Sequence, residues 1–169
     1  MEAAARFQGS GTSVARLWAM TPILKSGALA AATTTGTLLL LGWLRDRHAA
    51  APLNAVSHIV YGDEAADRDE PSAKYTLTGT VLNAAAVTLW AGIERLLFAR
   101  VAASGRPPLL RALARGAATS ALAFAVDYAA APRRLTPGFE KRLGGRSLAA
   151  VYVALGLSLA AASLVRARR

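Results

Sequence analysis

The sequence predicts an all-α fold: a bundle of four transmembrane helices with a short interfacial helix in the first loop. Four apolar windows predict the long helices, because a spanning helix needs about 20 mostly apolar residues. Their approximate bounds are 26–44, 75–93, 116–131 and 147–165. The connections between them are too short for an independent soluble core. Residues 1–169 are therefore predicted to form a single integral membrane domain.

Basic residues flank the apolar windows. The chain has 20 Lys and Arg residues against 10 Asp and Glu, which gives a net charge of +10. Many of the cations stand near window ends, among them Lys25, Arg45, Lys74, Arg95, Arg115, Arg146 and Arg166. Such placement is typical of helix-end anchors that contact lipid headgroups. It favours the lipid bilayer, and not nucleic acid, as the partner of this charge.

The first, second and fourth windows contain no charged residue and are rich in Ala, Gly, Ser and Thr. Small residues let membrane helices approach closely, so they predict a compact bundle and allow a homo-oligomer or a partner in a membrane complex. The second window also contains Asn83. We expect its amide to make hydrogen bonds between helices, although a contact with a substrate is the alternative.

The third window is the weakest span because it carries Asp127, the one acid inside any window. An Asp at a helix centre costs about 2.5–3.5 kcal/mol on insertion scales, whereas a Leu, Phe or Val returns only about 0.3–0.6 kcal/mol. We therefore expect Asp127 to lie near the helix end, or this span to insert only with its neighbours. Pro132 predicts that the helix ends just before it.

The long first loop, residues 45–74, contains the predicted interfacial helix. Pro52 suits the first turn of a helix and Gly62 suits its end. Asn54 and His58 stand four residues apart and would share one face of that helix. The helix either lies at the membrane interface or folds back against the bundle.

A polar cluster is predicted at the membrane face that carries this loop. Its candidate members are Asn54, His58, Asp63, Glu64, Asp127, Arg133 and Arg134. An imidazole titrates near neutrality, so together with carboxylates it could relay protons or hold a divalent metal. The spacing matches no metal-binding or hydrolase motif, which leaves the identity of any metal open and predicts no cofactor. The absence of cysteine excludes disulfides, thiol catalysis and cysteine-ligated metals.

Plainer structural roles for the same residues are favoured over a proton relay or a metal site. Asp127 would then pair with Arg133 or Arg134, as an intramembrane charge that finds its partner. His58 would be a hydrogen-bonded residue at the interface, and the acidic residues after it would form a solvated loop.

Two segments resemble a known group of proteins. Residues 54–58 (Asn-Ala-Val-Ser-His) and 134–140 (Arg-Leu-Thr-Pro-Gly-Phe-Glu) are similar to segments of small, uncharacterised bacterial inner-membrane proteins. The resemblance implies a setting in the bacterial inner membrane. It implies no activity and assigns no site residue.

The leading functional hypothesis is a structural or accessory component of the membrane. The alternative is a small proton-coupled transporter or channel that uses Asp127, His58 and Asn83. An enzyme is less favoured, because no nucleophile–base pair can be identified. The side that holds both termini carries slightly more Lys and Arg, so we expect both termini to be cytoplasmic.

Overall fold

The computed structural model describes residues 3–99 and 107–167, and the side chains of residues 20–99 and 107–166. These parts of the chain contain α-helices and short helical turns and no strand, which confirms the predicted all-α class. The α-helices are α1 (Ala3–Asp46), α2 (Ala51–Val56), α3 (His58–Tyr61), α4 (Thr78–Phe98), α5 (Pro108–Ala125) and α6 (Gly145–Ala167). A π-helical turn, Ala73–Leu77, precedes α4, and another, Val126–Ala130, follows α5.

Four helical segments are long and apolar enough to cross a membrane, as predicted. They are Met20–Asp46, Ala73–Phe98, Pro108–Ala130 and Gly145–Arg166. The third segment begins well before the predicted window. Arg111 and Arg115 lower the hydropathy of its first turns, but they do not interrupt the helix that begins at Pro108, a residue suited to the first helical turn.

The four long helices form a bundle in the order α4, α1, α6, α5. Helix α1 packs against both α4 and α6, and α5 packs most extensively against α6, whereas α4 and α6 barely touch. Small residues bring α5 and α6 together, since a Cβ atom at Gly116 would overlap the carbonyl oxygen of Gly156.

The first loop folds back against the bundle. All six residues of α2 are buried, in contact with α1, α4 and the third loop, residues 131–144. Its backbone lies directly on α4, because a Cβ atom at Gly79 would overlap the carbonyl oxygen of Leu53. Ser57 separates α2 from α3, and its hydroxyl donates to the carbonyl oxygen of Asn54 at 2.7 Å. Gly62, with a φ of 82°, ends α3.

Ion pairs join the first and third loops into one layer. Lys141 pairs with Asp63, and Arg142 pairs with Asp69. The Arg142 guanidinium also donates to the carbonyl oxygen of Ala66 at 3.1 Å. We call this layer, residues 50–70 and 133–143, the cap.

A buried ion pair holds the opposite end of the bundle. The Glu94 carboxylate at the end of α4, 2 % exposed, accepts a hydrogen bond from Arg166 of α6 at 3.1 Å. Arg166 also donates to the hydroxyl of Ser26 in α1 at 2.5 Å. The ends of α4 and α6 therefore meet the first part of the first span, at the end of the bundle away from the cap.

Candidate functional site

Asn54 is fully buried in α2 and ties the first loop to the start of the second span. Its Nδ2 donates to the backbone carbonyl oxygens of Arg68 and Glu70, at 2.8 and 3.0 Å. Its Oδ1 accepts from the hydroxyl of Thr76 at 2.6 Å. These hydrogen bonds use both ends of the amide, so the structure places Asn54 in the scaffold of the cap, apart from the other candidate residues.

Glu64 is also directed away from the other candidate residues. Its Oε1 accepts a hydrogen bond from the Tyr75 hydroxyl at 2.7 Å, and Lys74 Nζ lies 3.7 Å from the same oxygen. The Tyr75 hydrogen bond and the charge of Lys74 lower the pKa of the Glu64 carboxyl. Because this carboxyl is exposed, the ion pair is screened by water and contributes little to stability.

Four of the predicted residues do line one polar cleft of about 550 Å³ in the cap. These residues are His58, Asp63, Arg133 and Arg134, and the cleft is completed by Gly62, Thr136, Glu140 and Lys141. A hydrogen bond from Lys141, followed by its positive charge, lowers the pKa of the Asp63 carboxyl. Asp63 therefore stays ionised and partly neutralises Lys141. We call this space the cap cleft.

Asp127 does not join the cap cleft. Its Oδ2 accepts a hydrogen bond from the Tyr152 hydroxyl of α6 at 2.6 Å. Among the described residues it forms no ion pair with Arg133 or Arg134, so the predicted pairing is wrong. The reason is geometric: Asp127 lies on the last turns of the third span and faces the bundle, whereas the chain turns outward at Pro132 and carries both arginines into the cap.

Asp127 instead lines a second cavity, of about 240 Å³, which lies inside the bundle beneath the cap. We call it the bundle cavity. Thr34 of α1, Val87 and Trp90 of α4, and Val151 and Leu155 of α6 contribute to its walls. Apolar residues of the cap close one end, namely Val56, Ile59, Leu135, Pro137 and Phe139. Ala86 of α4 also lines the cavity and is exposed. The cavity is therefore open to the surroundings of the bundle at this residue.

Asn83 lies in the wall of the bundle cavity and makes the predicted hydrogen bonds between helices. Its Nδ2 donates to the hydroxyls of Thr34 and Thr35, at 2.9 and 3.1 Å. The Thr34 hydroxyl in turn donates to the carbonyl oxygen of Ala30 at 2.8 Å. These bonds join α1 to α4 and leave a largely apolar surface around the cavity.

Several residues of the two sites were not predicted from the sequence. Tyr152 lies inside the fourth apolar window, 147–165. A buried phenol needs a hydrogen-bond partner, and Asp127 is the one acid inside any apolar window. The presence of Tyr152 inside a window was therefore a signal for this hydrogen bond. Glu140 in the cap cleft offered no comparable signal. Its carboxylate accepts hydrogen bonds from the hydroxyls of Thr136 and Tyr128, at 2.8 and 3.3 Å. These contacts depend on the path of the turn that carries Glu140, which the sequence pattern does not define.

Neither site is assembled as a metal centre. In the described ranges 3–99 and 107–167, no group of three His, Asp or Glu side chains is placed to hold a metal ion.

In comparisons with known proteins, no family model matches the chain, and neither a curated protein nor a solved structure matches it significantly. The four apolar helices indicate an integral, multi-pass membrane protein. The resemblance of residues 54–58 and 134–140 to small bacterial inner-membrane proteins stays a prediction.

Proposed function

We propose that this chain is an accessory component of the bacterial inner membrane that holds the apolar chain of a bilayer amphiphile in the bundle cavity. Both termini are cytoplasmic in this proposal, so the cap faces the other side. The observation that carries it is an apolar cavity that is open at Ala86, an exposed residue of a helix long and apolar enough to cross a membrane.

The size and lining of the bundle cavity suit an acyl chain. Sites for drug-sized ligands have volumes of about 300–1,000 Å³, and the bundle cavity, at about 240 Å³, is smaller. It therefore suits a narrow apolar segment better than a whole polar metabolite. Its polar side chains already have partners: Asp127 accepts from Tyr152, and Asn83 donates to Thr34. An apolar chain would leave these hydrogen bonds intact.

Trp90 provides a direct test because it lines the cavity and is only 8 % exposed. Replacing the other two tryptophans, Trp18 and Trp43, with Phe leaves Trp90 as the sole indole. In vesicles that contain phospholipids brominated along the chain, we expect quenching of Trp90 fluorescence. Ala86→Phe should remove this quenching, because the ring fills the opening of the cavity.

Ala85→Phe is the matched control, since Ala85 is exposed on the same helix but does not line the cavity. It should leave the quenching of Trp90 unchanged. A second background that keeps only Trp43, which is 47 % exposed, reports general contact with lipid. The proposal is overturned if Trp90 is not quenched, or if both Phe variants reduce its quenching equally.

A proton-coupled transporter or channel is the second candidate. The observation that favours it is Asp127, a carboxyl that lines a cavity and has a phenol, with no arginine, as its partner. Loss of proton movement in the Asp127→Asn variant would support this candidate.

A further inference from the structure

Two arginines of the cap cleft have no partner for their charged groups within residues 20–99 and 107–166. Of its acidic residues, Asp63 pairs with Lys141, and Glu140 accepts hydrogen bonds from Thr136 and Tyr128. Arg133 and Arg134 are both exposed, and their guanidinium groups make no ion pair or hydrogen bond with the described residues. The neutral hydroxyl donors leave the negative charge of Glu140 in place, so the three cations and two carboxylates that line the cleft give it a small positive net charge. Its two guanidinium groups belong to consecutive residues.

A buried imidazole supplies the second observation. His58 lines the cap cleft and is only 3 % exposed. Its Nδ1 lies 2.9 Å from the carbonyl oxygen of Ala55 and must donate, since a carbonyl can only accept. Its Nε2 is buried and has no hydrogen-bond partner among the described residues. A buried polar atom of this kind is costly unless a ligand or water completes its hydrogen bonding.

Gly138 fixes the position of this imidazole. A Cβ atom at residue 138 would stand 2.5 Å from His58 Nδ1, and Gly138 has a φ of 88°, which other residues rarely adopt. The third loop can therefore lie directly against the ring. That contact places the ring beside the segment that carries Arg133 and Arg134.

These contacts favour an anion with several oxygen acceptors. Guanidinium groups bind phosphate through paired, charge-assisted hydrogen bonds. With Nδ1–H donating to Ala55, Nε2 accepts in the neutral ring, and a ring that carries both protons donates from Nε2 to a bound anion. We propose that the cap cleft binds a phosphate group through Arg133, Arg134 and His58.

The neighbouring residue connects this phosphate site to the bundle cavity. Leu135 follows Arg134 directly, lines the bundle cavity, and is 57 % exposed. The cationic edge of the cleft and an exposed edge of the cavity are therefore one residue apart. An anionic phospholipid could place its phosphate at the arginines and one acyl chain in the cavity. This lipid assignment rests on the proposed function, whereas the phosphate site does not.

The single-Trp90 background also tests this inference. Brominated phosphatidylglycerol and brominated diacylglycerol are compared as minor components of vesicles made from unbrominated lipid. Both deliver the same chains, but only the first carries a phosphate. We expect phosphatidylglycerol to quench Trp90 at a mole fraction lower by at least about tenfold, since two charge-assisted hydrogen bonds are involved.

Arg133→Gln/Arg134→Gln should remove this difference between the two lipids. The control is Arg68→Gln/Arg146→Gln, which removes the same charge from exposed arginines outside the cap cleft. It should keep the preference for phosphatidylglycerol. Equal quenching by the two lipids in the wild-type background, or equal loss in both double variants, would overturn the phosphate site.

Two further experiments distinguish a lipid phosphate from free phosphate, and the phosphate site from the proposed function. If added inorganic phosphate reduces the preference of the protein for phosphatidylglycerol, the result supports binding of a phosphate group in the cap cleft. Protection of the arginines from a guanidine-reactive dicarbonyl by inorganic phosphate, with no such protection by phosphatidylglycerol, would reject the lipid as the source. An arginine-dependent preference that is insensitive to Ala86→Phe would keep the phosphate site and reject the proposed function. Quenching that depends on Ala86 but not on the arginines would do the reverse.

Discussion

Asp127 is the residue whose chemistry most directly separates the two candidate functions. An ionised carboxylate in a spanning segment is expensive, and here its hydrogen-bond partner is the Tyr152 hydroxyl. Asn has nearly the same shape as Asp, and its Oδ1 can accept the same hydrogen bond. We therefore expect Asp127→Asn to preserve folding while it removes the carboxyl that lines the bundle cavity.

Proteoliposomes with a trapped pH indicator would measure this effect. If the chain conducts protons, an imposed gradient should dissipate faster than in protein-free liposomes, and Asp127→Asn should return the rate to the protein-free value. Asp67→Asn is the control, since Asp67 is an exposed loop residue. The transporter would be rejected if the wild-type protein dissipates the gradient no faster than protein-free liposomes do. It would also be rejected if the Asp127→Asn variant dissipates the gradient as fast as the wild type.

The candidate residues differ in how far the sequence could predict their surroundings. The interhelical role of Asn83 followed from its position, because an amide inside an apolar window must find a partner on another helix. The partner of Asp127 was wrongly predicted because sequence proximity favoured Arg133 and Arg134 over a tyrosine 25 residues away. Asn54 was predicted to join the cluster, but its partners are backbone carbonyls whose positions depend on the path of the loop.

At the scale of elements, the contact between α2 and α4 shapes the cap. Gly79 lets the two backbones touch, because any side chain there would meet the carbonyl oxygen of Leu53. Gly79→Ala should destabilise the protein by about 1–3 kcal/mol, as overpacking does. Gly92→Ala is the matched control on α4, where the added Cβ meets only Ile23 Cγ2 at 3.8 Å.

Both substitutions improve helix propensity by about 1 kcal/mol, so the difference between them isolates the contact. Thermal unfolding in detergent, followed by circular dichroism, should show a midpoint for Gly79→Ala several degrees below that of Gly92→Ala. Equal midpoints would mean that α2 is not tightly packed on α4.

The elements themselves were largely predictable, since hydropathy sets both the existence and the type of a spanning helix. The residues at which the helices begin and end were less predictable. Hydropathy fades in the first turns of the third span, yet the helix continues back to Pro108. The interfacial helix was predicted between Pro52 and Gly62, but the structure divides it at Ser57. At this point the Ser57 hydroxyl and its backbone N–H both donate to the carbonyl oxygen of Asn54, a local pattern that competes with regular helix and that the sequence pattern does not reveal.

At the scale of the whole molecule, the two ends of the bundle are chemically different. One end carries the cap, with its exposed loops and ion pairs. The other end is held by Glu94, Arg166 and Ser26. The order of the helices around the bundle was not predictable, because several windows are equally rich in small residues. Those residues permit close packing without specifying which helix is the neighbour.

The placement of these ends across the membrane is the remaining prediction. Lys and Arg are slightly more frequent on the side that holds the termini, so the cap is expected on the side away from the cytoplasm. The chain has no cysteine, so an introduced one is the sole labelling site. Asp67→Cys places a thiol in the cap, and Ala99→Cys places one just after α4, both at exposed positions.

A membrane-impermeant maleimide added to intact spheroplasts should label Asp67→Cys and spare Ala99→Cys until the membrane is opened. The reverse pattern would place the cap in the cytoplasm, and with it the arginines of the cap cleft. The pattern of labelling therefore also decides from which leaflet an anionic lipid would reach these arginines under the proposal. Arg133 and Arg134 would draw that lipid from the outer leaflet in the expected orientation.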